Sequence, residues 1–207
     1  MKYPILEEGA LLPLVESFYT IQGEGYNTGK AAFFIRLGGC DVGCSWCDAK
    51  ETWNPSVYPP VKIEKIVDEA TAFSAKSIVI TGGEPLNYPL DKLCDLLKSS
   101  NMEIFLETSG SSPLSGSFDW ICLSPKKKKP PLNEIYSKAD ELKIIIETED
   151  DFKWAEENRK LVSDNCRLYL QPEWSKSNQM LPKIIEYIKQ NTIWSISLQT
   201  HKYMNIP

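Results

Sequence analysis

The sequence has no stretch approaching the roughly 20 consecutive apolar residues that a membrane span requires, so no span is expected. Its first residues, Met1 to Glu8, hold one lysine with no apolar run after it, unlike a signal peptide. Positive charge is also in short supply. Lys plus Arg number 23 against 28 Asp plus Glu, a formal charge of −5. Nucleic-acid binding needs clustered positive charge, so no nucleic-acid partner is expected. No internal repeat or long low-complexity segment is visible. Histidine is nearly absent, with His201 the single example. These absences point to a cytoplasmic globular chain in a compartment that keeps thiols reduced.

What is present is ordinary in bulk. The chain has 207 residues, of which 42% are hydrophobic and 25% charged. That suits a single domain over residues 1–207 with a core that needs no disulfide staples. Six cysteines in a reducing compartment suggest metal binding or catalysis. Cys94, Cys122 and Cys166 are scattered among apolar residues and read as small buried hydrophobes.

Short apolar runs alternate with amphipathic ones. Strands are expected over 31–37, 77–81, 103–108, 118–123, 141–147, 167–171 and 193–198. Helices are expected over 61–73, 90–97, 150–162 and 181–189. Apolar strands that do not alternate with polar residues imply a mainly parallel sheet covered by helices. A closed barrel of eight βα units takes about 250 residues, so the α/β fold is expected to be an incomplete barrel of about six units. The chemically capable residues lie just after strand ends, the edge at which such folds bind ligands.

The densest chemistry is Gly39-Cys40-Asp41-Val42-Gly43-Cys44-Ser45-Trp46-Cys47-Asp48. Thiolates suit iron–sulfur clusters and zinc. Structural zinc takes four protein ligands, and the lone histidine lies far away in sequence. Three cysteines fit a 4Fe-4S cube with one iron left open for a substrate or cosubstrate, whereas an electron carrier normally supplies four. Zinc and a redox-active thiol cluster are the alternatives at this stage. Thr81-Gly82-Gly83-Glu84-Pro85 follows a buried strand. Its glycines allow backbone close to a ligand, and Glu84 can pair with an ammonium. An ordinary strand-to-helix turn would have the same look.

The Cys-x3-Cys-x2-Cys spacing, with Trp46 before the third cysteine, resembles the signature of radical S-adenosylmethionine (SAM) enzymes. The whole chain resembles the 7-carboxy-7-deazaguanine synthase family. The matching segments run in order: Tyr19 to Gly25, Phe34 to Leu37, the cysteine loop, Ile80 to Pro85, Glu107 to Gly110, Ser124 to Lys126, Leu170 to Pro172, and Leu198 to Tyr203. The resemblance implies a radical SAM type barrel and a lyase of queuosine and 7-deazapurine biosynthesis. The implied reaction converts 6-carboxy-5,6,7,8-tetrahydropterin into 7-carboxy-7-deazaguanine with loss of ammonia. Another radical SAM enzyme such as a glycyl-radical activase, or a non-catalytic zinc or iron–sulfur module, is the competing reading.

The resemblance also implies residue roles. Cys40, Cys44 and Cys47 would hold the 4Fe-4S cluster. Gly83, Glu84, Ser124, Pro125, Lys126, Leu170, Gln171, Pro172 and Glu173 would contact SAM. Ile21, Gln22, Gly23, Arg36, Thr81 and Pro207 would contact substrate, with Arg36 facing its carboxylate. His201 reads as a packed or surface histidine rather than a base. Family members place a magnesium-binding hydroxyl where this chain has Ala49, so either Asp48 or water fills the gap or the ion is weak or absent, with Lys50 as an alternative source of positive charge, and a reduced Mg²⁺ dependence is expected. An electron donor such as flavodoxin and a homodimer are family expectations.

Overall fold

The computed structural model describes residues 9–207; the reading of Met1 to Glu8 lies outside them. Among the described residues nine strands form one sheet in the order β3-β1-β2-β4-β5-β6-β7-β8-β9. The parallel strands are β2 (Ala31–Leu37), β4 (Ser77–Gly82), β5 (Glu103–Thr108), β6 (Trp120–Leu123), β7 (Glu141–Ile146), β8 (Arg167–Pro172) and β9 (Trp194–Ile196). Each lies where the apolar runs predict one. Two antiparallel strands extend the edge: β1 (Leu11–Ile21) pairs with β2, and β3 (Pro60–Lys62) pairs with β1. Neither was evident in the sequence. β1 mixes polar and apolar residues without a clean period, and β3 is a three-residue strand overlapping the start of an expected helix. The end strands β3 and β9 do not pair, so the barrel is open, as the chain length implied.

The helices are α1 (Ile63–Thr71), α2 (Asp91–Ser99), α3 (Asn133–Tyr136), α4 (Asp150–Arg159), α5 (Ser177–Gln190) and α6 (Thr200–Met204). The spacing of Ile63, Ile66, Val67 and Ala70 turns one face of α1 onto the sheet, and all four are buried. Helix α5 begins four residues earlier than its apolar period suggests, and Pro182 sits inside it. The short α3 and α6 carry too few apolar residues to show a period.

The two sheet faces differ in kind. The helix-covered face forms the main core, including Ile35, Ile80, Leu106, Leu123, Leu142, Ile144 and Leu170. On the concave face a smaller cluster of Ala32, Phe34, Val79 and Phe105 packs with Phe18 and Trp120. Phe18 stacks on Phe34 at 5.3 Å and Tyr26 on Trp120 at 4.7 Å. These rings plug the barrel floor. Above them the concave face becomes polar, with Glu107, Lys143 and Gln171 in the wall of a cavity. Cys94, Cys122 and Cys166 are buried as expected.

Candidate active site

The cavity at the strand ends has a volume of about 440 Å³, within the range of small-ligand sites. The loop after β2 brings Cys40, Cys44 and Cys47 to one wall, with Trp46, Asp48 and Ala49. This loop is tied to the turn after β4. Gly83 N donates to Leu37 O at 2.8 Å, and Glu84 N donates to Gly39 O at 2.9 Å. Gly82 has φ of +140°, and a Cβ there would meet Leu37 O at 2.1 Å. A Cβ at Gly83 would meet Gly39 O at 2.5 Å and Cys40 Cβ at 3.0 Å. Both glycines are therefore required for the approach of the turn to the cysteine loop.

All three cysteines of the loop are free and half-buried. Burial pushes the Cys40 and Cys44 thiols up, while Lys126 works the other way on Cys44. A bound metal reverses that preference by stabilising thiolate directly. Among the described residues, no three Cys, His, Asp or Glu side chains are drawn together as ligands of one ion. A cube is held differently, because its thiolates bind separate irons and stand further apart. The donor set of three thiolates on one wall, with the close-approaching Gly83 backbone beside them, fits a 4Fe-4S cube with one open iron and not a four-ligand zinc site.

Most expected contact residues reach this cavity. Ile21, Gln22, Gly23, Arg36, Thr81, Gly83, Ser124, Lys126, Gln171, Pro172, Glu173 and Pro207 line it. Three do not. Glu84 is 1% exposed, and its oxygens accept from Leu86 N, Thr108 Oγ1, Ser109 N and Ser109 Oγ. Its carboxylate therefore braces the turns after β4 and β5 instead of standing open to an ammonium. The Leu170 side chain points into the helix-covered core, and its carbonyl accepts from Ser197 N. Pro125 borders a smaller neighbouring cavity with Lys127 and Lys128.

Arg36, at the end of β2, gives Nε to Glu16 Oε1 at 2.7 Å and lies 5.9 Å from the Phe18 ring centre. Lys126 donates to Ser124 Oγ at 2.5 Å and sits 5.3 Å from the Trp46 ring centre. Glu173 caps the short turn Trp174–Lys176, accepting from Ser175 and Lys176. After α6, Asn205 adopts the left-handed conformation that ends helices. The chain thus turns back, Thr20 Oγ1 donates to Pro207 O at 3.4 Å, and Pro207 joins the cavity wall. His201 packs on Gly23, where a Cβ would meet its Nδ1 at 2.3 Å. Burial lowers its pKa, against the attraction of Glu24.

Several further cavity residues have no role assigned by the sequence, although all but Lys143 lie in the segments that carry the resemblance. Lys143 donates to Glu24 Oε2 at 2.6 Å and to Glu107 Oε2 at 2.9 Å. Gln22 Nε2 donates to Glu107 Oε1 at 3.3 Å. Gln199 Nε2 donates to Glu24 Oε1 at 2.9 Å and to Asp48 Oδ2 at 3.1 Å. Lys202 donates to Asp48 Oδ2 at 3.1 Å and to Gln199 Oε1 at 3.0 Å, and stands 4.6 Å from the Trp174 ring centre. For Lys143 the available hint was a polar residue inside the apolar β7.

Residues 34–121 match the family model described as the radical SAM superfamily. A 7-carboxy-7-deazaguanine synthase of Flavobacterium psychrophilum is 55% identical over 98% of this chain and 96% of its own length. The enzyme of that name from Synechocystis is 48% identical over 94% and 93%, and that of Escherichia coli K12 is 33% identical over 94% and 98%. The crystal structure of QueE from Escherichia coli superposes with a TM-score of 0.79 at 31% identity, covering 91% of this chain and 93% of that one. With an open radical-enzyme barrel, a three-cysteine loop on its cavity wall and whole-length likeness to these proteins, the chain belongs to the 7-carboxy-7-deazaguanine synthase family of the radical SAM superfamily.

Proposed function

We propose that this chain converts 6-carboxy-5,6,7,8-tetrahydropterin into 7-carboxy-7-deazaguanine with loss of ammonia. The observation that carries the reading is the cavity that holds the three-cysteine loop, Arg36 and Pro207 together. Cys40, Cys44 and Cys47 would hold the 4Fe-4S cluster, which together with SAM would supply the radical chemistry of the reaction. The protein's own residues bind, orient and shield. The Arg36 guanidinium receives the substrate carboxylate, with Glu16 and Phe18 fixing its plane. Gln22, with the backbone at Ile21 and Gly23, reads the amide edge of the pterin, and Thr81 and Pro207 complete the substrate contacts. Gly83, Ser124, Lys126, Gln171, Pro172 and Glu173 line the SAM side. The aromatic floor of Phe18, Phe34, Phe105 and Trp120 keeps bulk water from that end.

Residues at the expected magnesium position do not fit the ion. Ala49 has no side-chain oxygen, and Asp48 Oδ2 already accepts from Lys202 and Gln199. Mg²⁺ requires near-octahedral oxygen ligands. We read the Lys202 ammonium, rather than Lys50, as the positive charge at this point of the wall. The chain acts as one domain, as a homodimer in the cytoplasm, with a small electron-transfer protein such as a flavodoxin as reductant. Among the described residues no helix is long and apolar enough to cross a membrane.

The test is incubation of anaerobically reconstituted protein with the carboxytetrahydropterin, dithionite and SAM. Formation of 7-carboxy-7-deazaguanine is expected. Its absence from protein holding about four irons per chain would remove the assignment.

A further inference from the structure

Strand β7 has two unlike faces. Leu142, Ile144 and Ile146 are fully buried in the helix-covered core, whereas Lys143 projects into the concave face and is 3% exposed. An ammonium buried there without partners would cost several kcal/mol. Its partners are two carboxylates from distant parts of the chain: Glu24 in the loop after β1, and Glu107 on β5. Each of those carboxylates uses its other oxygen to hold a carboxamide. Glu107 Oε1 accepts from Gln22, and Glu24 Oε1 accepts from Gln199. Gln22 is fixed at its other end too, because its Oε1 accepts from Gly23 N at 2.9 Å. Glu24, Glu107, Gln22, Gln199 and Lys143 all line the one cavity.

We propose that Lys143 is the positioning residue of the substrate subsite: its ammonium holds Glu24 and Glu107 as a fixed pair of ionised acceptors, and through them sets the carboxamides of Gln22 and Gln199. The proposal rests on the substrate reading above. Such a set of acceptors suits a ring rich in N–H donors, as the aminopyrimidinone of a tetrahydropterin is. Two carboxylates within about 3 Å of the same nitrogen would repel one another without it, and one would take up a proton. A protonated carboxyl presents a donor where the ligand also presents one.

The other charged or titratable groups facing this point are Cys122 on β6, Glu141 on β7, Lys126 in the loop after β6 and, beside Glu24, Asp48 of the cysteine loop and His201 of α6. Of these only Lys126 and a protonated His201 are cationic. Lys126 is engaged with Ser124, and burial keeps His201 toward its neutral form.

The experiment is equilibrium binding of 6-carboxytetrahydropterin to unreduced, cluster-loaded enzyme as a function of pH. Wild type is compared with Lys143→Met and Lys143→Arg at matched iron content. Lys143→Met is expected to weaken binding about tenfold or more at pH 7. The acid limb of its binding curve should move up by roughly one pH unit or more, toward neutrality. Lys143→Arg restores the charge without the geometry, so it should keep the wild-type acid limb yet bind more weakly. A Lys143→Met protein with wild-type affinity and an unshifted limb overturns the proposal. If Lys143→Met does not fold, Lys143→Arg decides, and wild-type affinity in that variant overturns it. Wild-type enzyme that does not bind the pterin removes the substrate reading and this proposal together, whereas failure at Lys143 alone leaves the substrate reading standing.

Discussion

At the residue scale, burial decides which charged groups are braces and which are open to a ligand. Glu84 looked like a ligand group because it follows two glycines after a buried strand. With four protein donors on its oxygens it is instead the link between the turns after β4 and β5. Glu84→Ala would leave those buried donors unpaired, at about 1–3 kcal/mol for each group that water does not reach. We expect a lower denaturant midpoint and poor retention of iron, measured by urea unfolding and iron analysis; a variant as stable as wild type would contradict the brace.

Glu24 gives a pH dependence. Burial raises its pKa, but Lys143 and then Gln199 overcome that and hold it at about 2, below the usual 4.5. A depressed carboxylate pKa contributes stability above the unfolded value, which is lost as pH falls through the folded one. Glu24 therefore stabilises the fold fully above about pH 4.5 and progressively less down to about pH 2. In Glu24→Gln, the drop in melting temperature between those limits should be shallower than in wild type. Ala49 gives a metal prediction at the same scale. Turnover should persist in chelator with little gain from added Mg²⁺; a strong, saturable Mg²⁺ requirement would show that the Lys202–Asp48 pair does not substitute for the ion.

At the element scale, the site is a set of turns that need each other. The turn after β4 hydrogen-bonds the end of β2 through Gly83 and the cysteine loop through Glu84, so the loop's entry is set by β4 rather than by its own sequence. A methyl group at residue 83 collides with backbone at Gly39, which cannot move without displacing Cys40. Gly83→Ala is expected to fold, because β4 and its core contacts remain, but to hold less than half the wild-type iron after reconstitution. Visible absorbance and iron content measure this, and full iron loading would show that the loop has slack. The strands that carry these turns were legible because their outer-face residues are apolar without alternation. β1, β3 and α6 were not legible, since edge pairing and a five-residue helix leave no period to read. The dual character of β7 was also concealed, because one lysine among five apolar and acidic neighbours reads as an exception until the sheet curves around it.

At the scale of the whole molecule, one continuous sheet joins the β1 edge to β9, and the chain's end returns to β1 through Thr20 and Pro207. One core cluster runs from Leu12 to Trp194. Such a continuous core unfolds as a unit. We expect coincident transitions by far-ultraviolet circular dichroism and tryptophan fluorescence in the cluster-free protein; two separated transitions would argue against a single domain.

The candidate ligands of the cluster, and the resemblance that assigns it, were legible in the sequence alone. Three cysteines within eight residues can reach one small cluster because the spacers between them are short, and three thiolates leave one iron of a cube without a protein ligand. The order of apolar runs likewise fixed a parallel barrel, since each run must be buried on its helix-covered face. The tertiary structure decided what surrounds the cluster. Glu24, Glu107, Lys143, Gln199 and Lys202 stand up to 178 residues apart in the chain and become neighbours only when the sheet closes a concave face. Buried charges tolerate that face only by pairing across strands, and pairing between residues so distant leaves no local pattern in the sequence.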